Sequence, residues 1–159
     1  MSEAKPLAGR QAFVLGAIGP LGRRIAVALA EAGATVSTTT LTEDPGEQFQ
    51  ANSTLNEMWA LGRAGAAFNV DEAGQEELRT AVERAGENAI LVATPEAAGA
   101  AWVRDLAESS EGGRLLCIRA SGDGWAIEVA GGSESAEDEG ELAALVVRRA
   151  AATLPAPLA

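Results

Sequence analysis

The sequence predicts an α/β domain: a mainly parallel sheet of about five strands with helices on both faces, and an antiparallel strand at one edge. Three observations lead there. Short apolar runs of about five residues alternate with longer stretches of helical periodicity. Helical stretches are punctuated by Gly33, Gly86 and Pro95. Gly16, Gly19 and Gly22 stand directly between the first apolar run and the first helical stretch. Strands alternating with helices bury both faces of a parallel sheet, and each crossover is right-handed.

The elements follow in order. Gln11–Leu15, QAFVL, is a compact apolar run, predicted as a buried strand. A helix follows with Leu21, Ile25, Ala28 and Leu29 on one face, stopped by Gly33. The β-branched Thr35–Thr39 is a second strand. A polar connection then carries the turn signal Asp44-Pro45-Gly46, and a helix is expected over Thr54–Leu61. Ala66–Val70 is a third strand, followed by a helix with Leu78, Ala81, Val82 and Ala85 inward. Ala89–Ala93 is the fourth strand, and a helix is expected to open at Pro95, since proline suits a first helical turn. Arg114–Ala120 is the fifth strand. A turn at Ser121–Gly124 and the alternation of Trp125–Ala130 predict a hairpin and an antiparallel edge strand. The acidic, glycine- and serine-rich 131–141 segment is expected to be mobile, before a last helix over Leu142–Thr153.

Composition narrows the function classes. A chain of 159 residues makes one domain, here taken as 1–159. Twelve basic against 23 acidic residues give a net charge of −11, which repels a phosphate backbone or an anionic membrane surface, so neither nucleic acid nor membrane is expected as a partner. The single Cys117, in an apolar run, excludes an intrachain disulfide and a cysteine-built metal site. No signal segment or membrane-length apolar run stands out, and a cytoplasmic protein is expected.

The glycines carry the chemistry-bearing signal. After a strand and opening a helix, G-x-x-G-x-x-G lets the chain turn sharply at the first glycine, brings backbone N–H groups near a pyrophosphate at the second, and allows close helix–strand packing at the third. The helix N-terminus then faces the anion. A tight strand–helix turn without a ligand is the alternative reading of the same residues.

The stretch LAGRQAFVLGAIGPLGRRIAVALAEAGATV resembles the opening of the short-chain dehydrogenases/reductases, and the similarity runs from about Leu7 to Ser121 through ALGRAGAAFNVDEAGQEELRTAV, GENAILVA and GGRLLCIRAS. The resemblance implies a Rossmann-type three-layer α/β/α fold. It implies cofactor-binding positions at Gly16, Ile18, Gly19, Leu21, Gly22, Thr40, Val70 and Asp71. Among these, Asp71 falls where the family's strand-end aspartate meets the adenine, and Thr40 where an NAD-selecting acid stands. Thr40 could offer a hydroxyl to a ribose, while Glu43 and Asp44 would repel a 2′-phosphate, so NAD(H) is expected, if anything, over NADP(H).

Departures from the family are concentrated at its catalytic positions. Where the family has an Asn-Asn-Ala-Gly stretch, this chain has Ala93-Thr94-Pro95-Glu96. The catalytic serine would fall near Ala120, with Ser121 its hydroxyl neighbour, and the Tyr-x-x-x-Lys pair near Ser133 and Glu137. The chain has no tyrosine, and Lys5 is its only lysine. Family-type reduction needs a proton donor at the carbonyl oxygen, and losing such an acid alone costs about a hundred- to ten-thousand-fold in rate. The expectation is a non-catalytic nucleotide-binding or structural subunit. An oxidoreductase with non-standard catalytic residues and a scaffold that has lost nucleotides are the alternatives.

The remaining candidates read as structure. The carboxylates of 134–141 lack the ligand order of a calcium loop, so no metal is expected. Without histidine, Ser109, Ser110 and Ser133 have no activating base. Arg23 and Arg24 could flank a phosphate or solubilise the helix. Trp59, Trp102 and Trp125 are expected to pack, with one able to serve as an interface anchor. By the resemblance, helices 95–108 and 142–153 would build a four-helix interface in a homodimer or with a full-length dehydrogenase; the alternative is that they simply cover the sheet.

Overall fold

The computed structural model describes residues 5–17, 19–42, 44–97, 100–109, 114–121, 124–129 and 132–152. Among the described residues seven strands form one sheet in the order β3-β2-β1-β4-β5-β6-β7, with β1 Gln11–Leu15, β2 Thr35–Thr39, β3 Ala64–Phe68, β4 Ala89–Ala93, β5 Arg114–Ser121, β6 Gly124–Val129 and β7 Gly132–Ala136. The first five are parallel, and β6 and β7 join as antiparallel neighbours. The helices are α1 Pro20–Glu31, α2 Pro45–Ala60, α3 Glu72–Ala85, α4 Ala101–Ser109 and α5 Glu139–Ala152. This is the predicted mainly parallel, three-layer α/β/α sheet.

Side-chain alternation along the central strands assigns the helices to layers. Ala12 and Val14 of β1, with Ile90 and Val92 of β4, face a core closed by Leu21, Ile25 and Leu29 of α1, Met58 of α2 and Leu142, Leu145 and Val146 of α5. Phe13 and Leu15, with Leu91 and Ala93, face the opposite core, closed by Leu78 and Val82 of α3 and Val103 and Leu106 of α4. Both faces of β1 and β4 are therefore dry, as continuous apolar runs require. The same assignment places α4 and α5 on opposite faces of the sheet.

Smaller shifts start β3 at Ala64 instead of Ala66, end β5 at Ser121 instead of Ala120, start β6 at Gly124 instead of Trp125 and start the last helix at Glu139 instead of Leu142, and four differences from the sequence expectation go further. The helix expected at Thr54 begins at Pro45, because Asp44 is an N-cap whose carboxylate accepts from the Gly46 N–H (2.9 Å), with Pro45 in the first turn. The third strand ends at Phe68 instead of Val70: the Val70 N–H leaves the ladder and donates to the Thr40 hydroxyl (3.0 Å). Residues 95–97 form turns with i to i+3 bonds, Ala97 N–H to Thr94 O and Ala100 N–H to Ala97 O, so the helix expected from Pro95 is observed from Ala101. Part of the 131–141 segment expected to be mobile is β7, paired with β6 from Gly132 to Ala136, with Ala136 buried and Glu134 ion-paired to Arg149 of α5.

Candidate functional site

The order β3-β2-β1-β4-β5 makes the chain leave β1 toward one side of the sheet and later return on the other. The crevice beyond the carboxyl ends of β1 and β4 is the place where sheets of this type bind ligands. The glycine turn lies there. Gly16 has φ +78°, and a Cβ on it would stand 2.8 Å from Thr94 Oγ1 and 2.9 Å from the Ala97 Cβ. Its N–H donates to Thr39 Oγ1 (2.9 Å), and the Ala17 N–H donates to Thr39 O (3.0 Å). Just past β4, the Thr94 hydroxyl shares its one proton between Leu15 O (3.2 Å) and Gly16 O (3.1 Å). Thr39 and Thr94 thus hold the turn from both sides.

Beyond that clamp the turn is open. Gly19 is the N-cap of α1 with no side-chain cap, and a Cβ there would meet nothing within 4 Å. Helix geometry leaves the amides of the first turn, here Leu21 and Gly22, without carbonyl partners four residues back, and they point out of the helix end. Gly22 is set by packing: its Cβ would fall 2.9 Å from Ala17 Cα. The Leu21 side chain is buried in the core. Ile18 lies outside the described residues.

The residues expected at the adenosine end are placed differently from one another. Thr40 is 1% exposed, and its hydroxyl oxygen is engaged by the Val70 N–H inside the sheet. Asp71 is the N-cap of α3, its carboxylate accepting from the Gly74 N–H (2.7 Å). Val70 is buried, and its carbonyl accepts from Gln75 Nε2 (2.7 Å). Asn69, Asp71, Thr42, Asp44 and Gln48 line a hollow of about 140 Å³ beyond β2 and β3.

Glu47, which sequence reasoning did not single out, closes the turn after β2. Its Oε1 accepts from the Leu41 N–H (2.7 Å) and the Thr42 N–H (2.6 Å), and its Oε2 accepts from the Thr42 hydroxyl (2.7 Å). Burial pushes this carboxyl up, but the bonds from the Thr42 hydroxyl and the two N–H groups outweigh it and hold it below the usual carboxylate value. The signal was present in the spacing: Asp44-Pro45-Gly46-Glu47 is an N-cap followed by an acid at the third helical position.

A larger cleft of about 450 Å³ opens on the other side of Gly19, between α1 and α2, lined by Pro20, Arg23, Arg24, Gln50, Thr54 and Glu57 among others. Both arginines are engaged, Arg23 with Glu57 and Arg24 with Glu139 (3.7 Å). Of the tryptophans, Trp102 and Trp125 pack against the two cores, whereas Trp59 is 75% exposed.

The positions corresponding to the Tyr-x-x-x-Lys pair do not converge on the glycine turn. After Ser121 the chain doubles back into the β6–β7 hairpin. Ser133 lies on β7, the edge strand, four inter-strand steps from β1, or about 19 Å across the sheet. Glu137, between β7 and α5, is exposed. Cys117 is half-buried; burial raises its thiol pKa, against the opposing charges of Arg119 and Arg104. Among the described residues, no cluster of His, Cys, Asp and Glu could hold a metal ion, and no helix is long and apolar enough to cross a membrane.

No family model matches the chain, and no curated protein does. Solved structures match over more than half of it. A short-chain dehydrogenase from Burkholderia cenocepacia in complex with NADP is 25% identical, with a TM-score of 0.52, over 70% of this chain and 56% of that one. A hydroxysteroid dehydrogenase from Escherichia coli is 27% identical, with a TM-score of 0.43, over 59% of this chain and 39% of that one. An acetoin dehydrogenase from Enterobacter cloacae is also 27% identical, with a TM-score of 0.44, over 54% and 35%. The chain thus spans between about a third and just over half of the length of these structures. Its fold is a Rossmann-type sheet, and within that class it is short-chain-dehydrogenase-like.

Proposed function

We propose that this chain is a nucleotide-binding Rossmann-type domain without family-type reductase chemistry, working as a nucleotide-binding or structural subunit in a homodimer or beside an active dehydrogenase. The observation that carries the reading is the open glycine turn: Gly19 leaves the N-terminus of α1 uncapped, at the point where the sheet order reverses. The residues there fit a pyrophosphate, with Leu21 and Gly22 presenting their amides to it. Further along the rim, Asn69 and Asp71 would flank an adenine. A nicotinamide nucleotide so held would supply hydride chemistry.

Reduction of a carbonyl also needs a proton delivered to its oxygen. The sequence has no tyrosine and no lysine beyond Lys5, and the corresponding positions lie out on the β6–β7 side of the sheet. This supports a non-catalytic role. α4 and α5, which cover opposite faces of the sheet, are the helices through which such pairing would run.

Titration calorimetry with NADH on the wild type and Gly19→Asp tests the nucleotide reading. The aspartate caps the helix while placing negative charge where the pyrophosphate lies. Binding weakened at least about tenfold, or about 1.4 kcal/mol, at unchanged melting temperature is the expected result. No heat at millimolar NADH removes the nucleotide and leaves a structural subunit. Turnover of NADH with a panel of ketones, surviving stringent repurification, overturns the non-catalytic role. Capture at native expression level followed by mass spectrometry tests the pairing, with a full-length dehydrogenase or a second copy as the expected companion.

A further inference from the structure

The turn after β2 already holds an anion, and the anion belongs to the chain. Two consecutive backbone N–H groups, Leu41 and Thr42, and the Thr42 hydroxyl converge on the Glu47 carboxylate. Successive N–H groups pointing into one concavity make an anion receptor, and bonds to an ionised acceptor are about twice as strong as neutral ones. The Thr42 hydroxyl also accepts from the Asp44 N–H (3.2 Å), so the turn is tied at its far side as well.

The position of this receptor gives it meaning. In dinucleotide-binding sheets the ribose reaches the carboxyl end of β2, about 20 residues beyond the glycine turn, where an acid takes its 2′-hydroxyl or a basic group takes a 2′-phosphate. Leu41 and Thr42 stand two and three residues past the end of β2. Thr40, the first residue past the strand, is turned inward and engaged. The adjoining hollow is lined by Thr42, Asp44, Gln48, Asn69 and Asp71, with no arginine or lysine among them.

We propose that Glu47 is the residue that sets nucleotide choice: its carboxylate takes the donors that would hold a 2′-phosphate and puts negative charge where that phosphate would sit. The site then accepts an unphosphorylated ribose and rejects a phosphorylated one. The inference rests on the nucleotide-binding reading above and specifies the selectivity of that site. The fold alone does not dictate this preference, since the Burkholderia cenocepacia structure holds NADP.

The test compares NADH and NADPH affinities for the wild type, Glu47→Gln and Glu47→Ala, with melting curves in inorganic phosphate. Glu47→Gln keeps an acceptor for the two N–H groups and removes the charge, so it preserves the turn if Glu47→Ala folds poorly. The wild type is expected to bind NADH at least about tenfold more tightly than NADPH, with the ratio shrinking in Glu47→Gln and vanishing or inverting in Glu47→Ala. Phosphate is expected to raise the melting temperature of Glu47→Ala by about 3 °C more than that of the wild type, in which only the glycine turn offers an open anion site. Equal affinities in the wild type, or a ratio that neither variant moves, overturn the inference and leave nucleotide binding standing. Failure of all three proteins to bind either nucleotide overturns both.

Discussion

The turns after β1 and β2 share one backbone plan. Each follows a parallel strand, each lies at the carboxyl rim of the sheet, and each enters a helix whose first turn holds a proline, Pro20 or Pro45. They differ at two residues. The helix after β1 has Gly19 as its N-cap and no side chain to satisfy its first amides. The helix after β2 has Asp44, which caps it, and Glu47, which reaches back to close the turn itself. One plan therefore yields a receptor in the first case and a sealed joint in the second, and the side chains around the N-cap decide which.

Substitutions that exchange these properties sharpen the contrast, and the largest effect falls on the part of the first turn that is not open. Gly16→Val forces a β-branched residue to φ +78° and against Thr94 and Ala97, at a cost of about 3 kcal/mol, or about 9 °C in a thermal melt. Gly22→Val drives a side chain into the Ala17 backbone and costs about 2 kcal/mol, so any loss of nucleotide in that variant must be read against its stability. Glu47→Ala costs about 1 kcal/mol, a figure kept low by the solvent around the turn. Its pH dependence has a definite sign. A carboxyl whose folded pKa is depressed stabilises fully above its unfolded value and loses that contribution as pH falls through the folded one. The gap in melting temperature between wild type and Glu47→Ala is therefore flat at neutral pH and closes in acid below the ordinary carboxylate range. Gly19→Asp changes stability least, within about 0.5 kcal/mol, because the site is open and an aspartate is a better cap than glycine.

The same contrast explains how much was legible in the sequence. The β1, β2 and β4 boundaries were predicted as observed, because strands buried on both faces read as uninterrupted apolar or β-branched runs ended by Gly16, Thr40 and Thr94. The glycine turn was legible because φ +78° at Gly16 and the close approach at Gly22 each demand a residue without a side chain. The second turn was not, since Asp44-Pro45-Gly46 serves equally as a turn or as an N-cap with proline behind it, and only the tertiary position of α2 decides. Glu47 acquires a role only once that helix start is known. The β7 strand was hidden by composition: Ser133, Glu134 and Ser135 suit a solvated segment, and pairing to β6 through the backbone is what orders them. Thr39 and Thr94 looked like ordinary strand ends, although their hydroxyls anchor the glycine turn.

That anchoring separates the turn's motions into two time scales. The Gly16 and Ala17 amides are bonded to Thr39, the fully buried last residue of β2, so their hydrogens exchange only when β1 and β2 part, an event close to global unfolding. The amides of Leu21 and Gly22, at the uncapped helix end a few residues away, exchange through local fraying. A single loop thus carries a rigid base and a more readily exchanging helix start, so a ligand settling on that start would slow exchange there while leaving the base as slow as before.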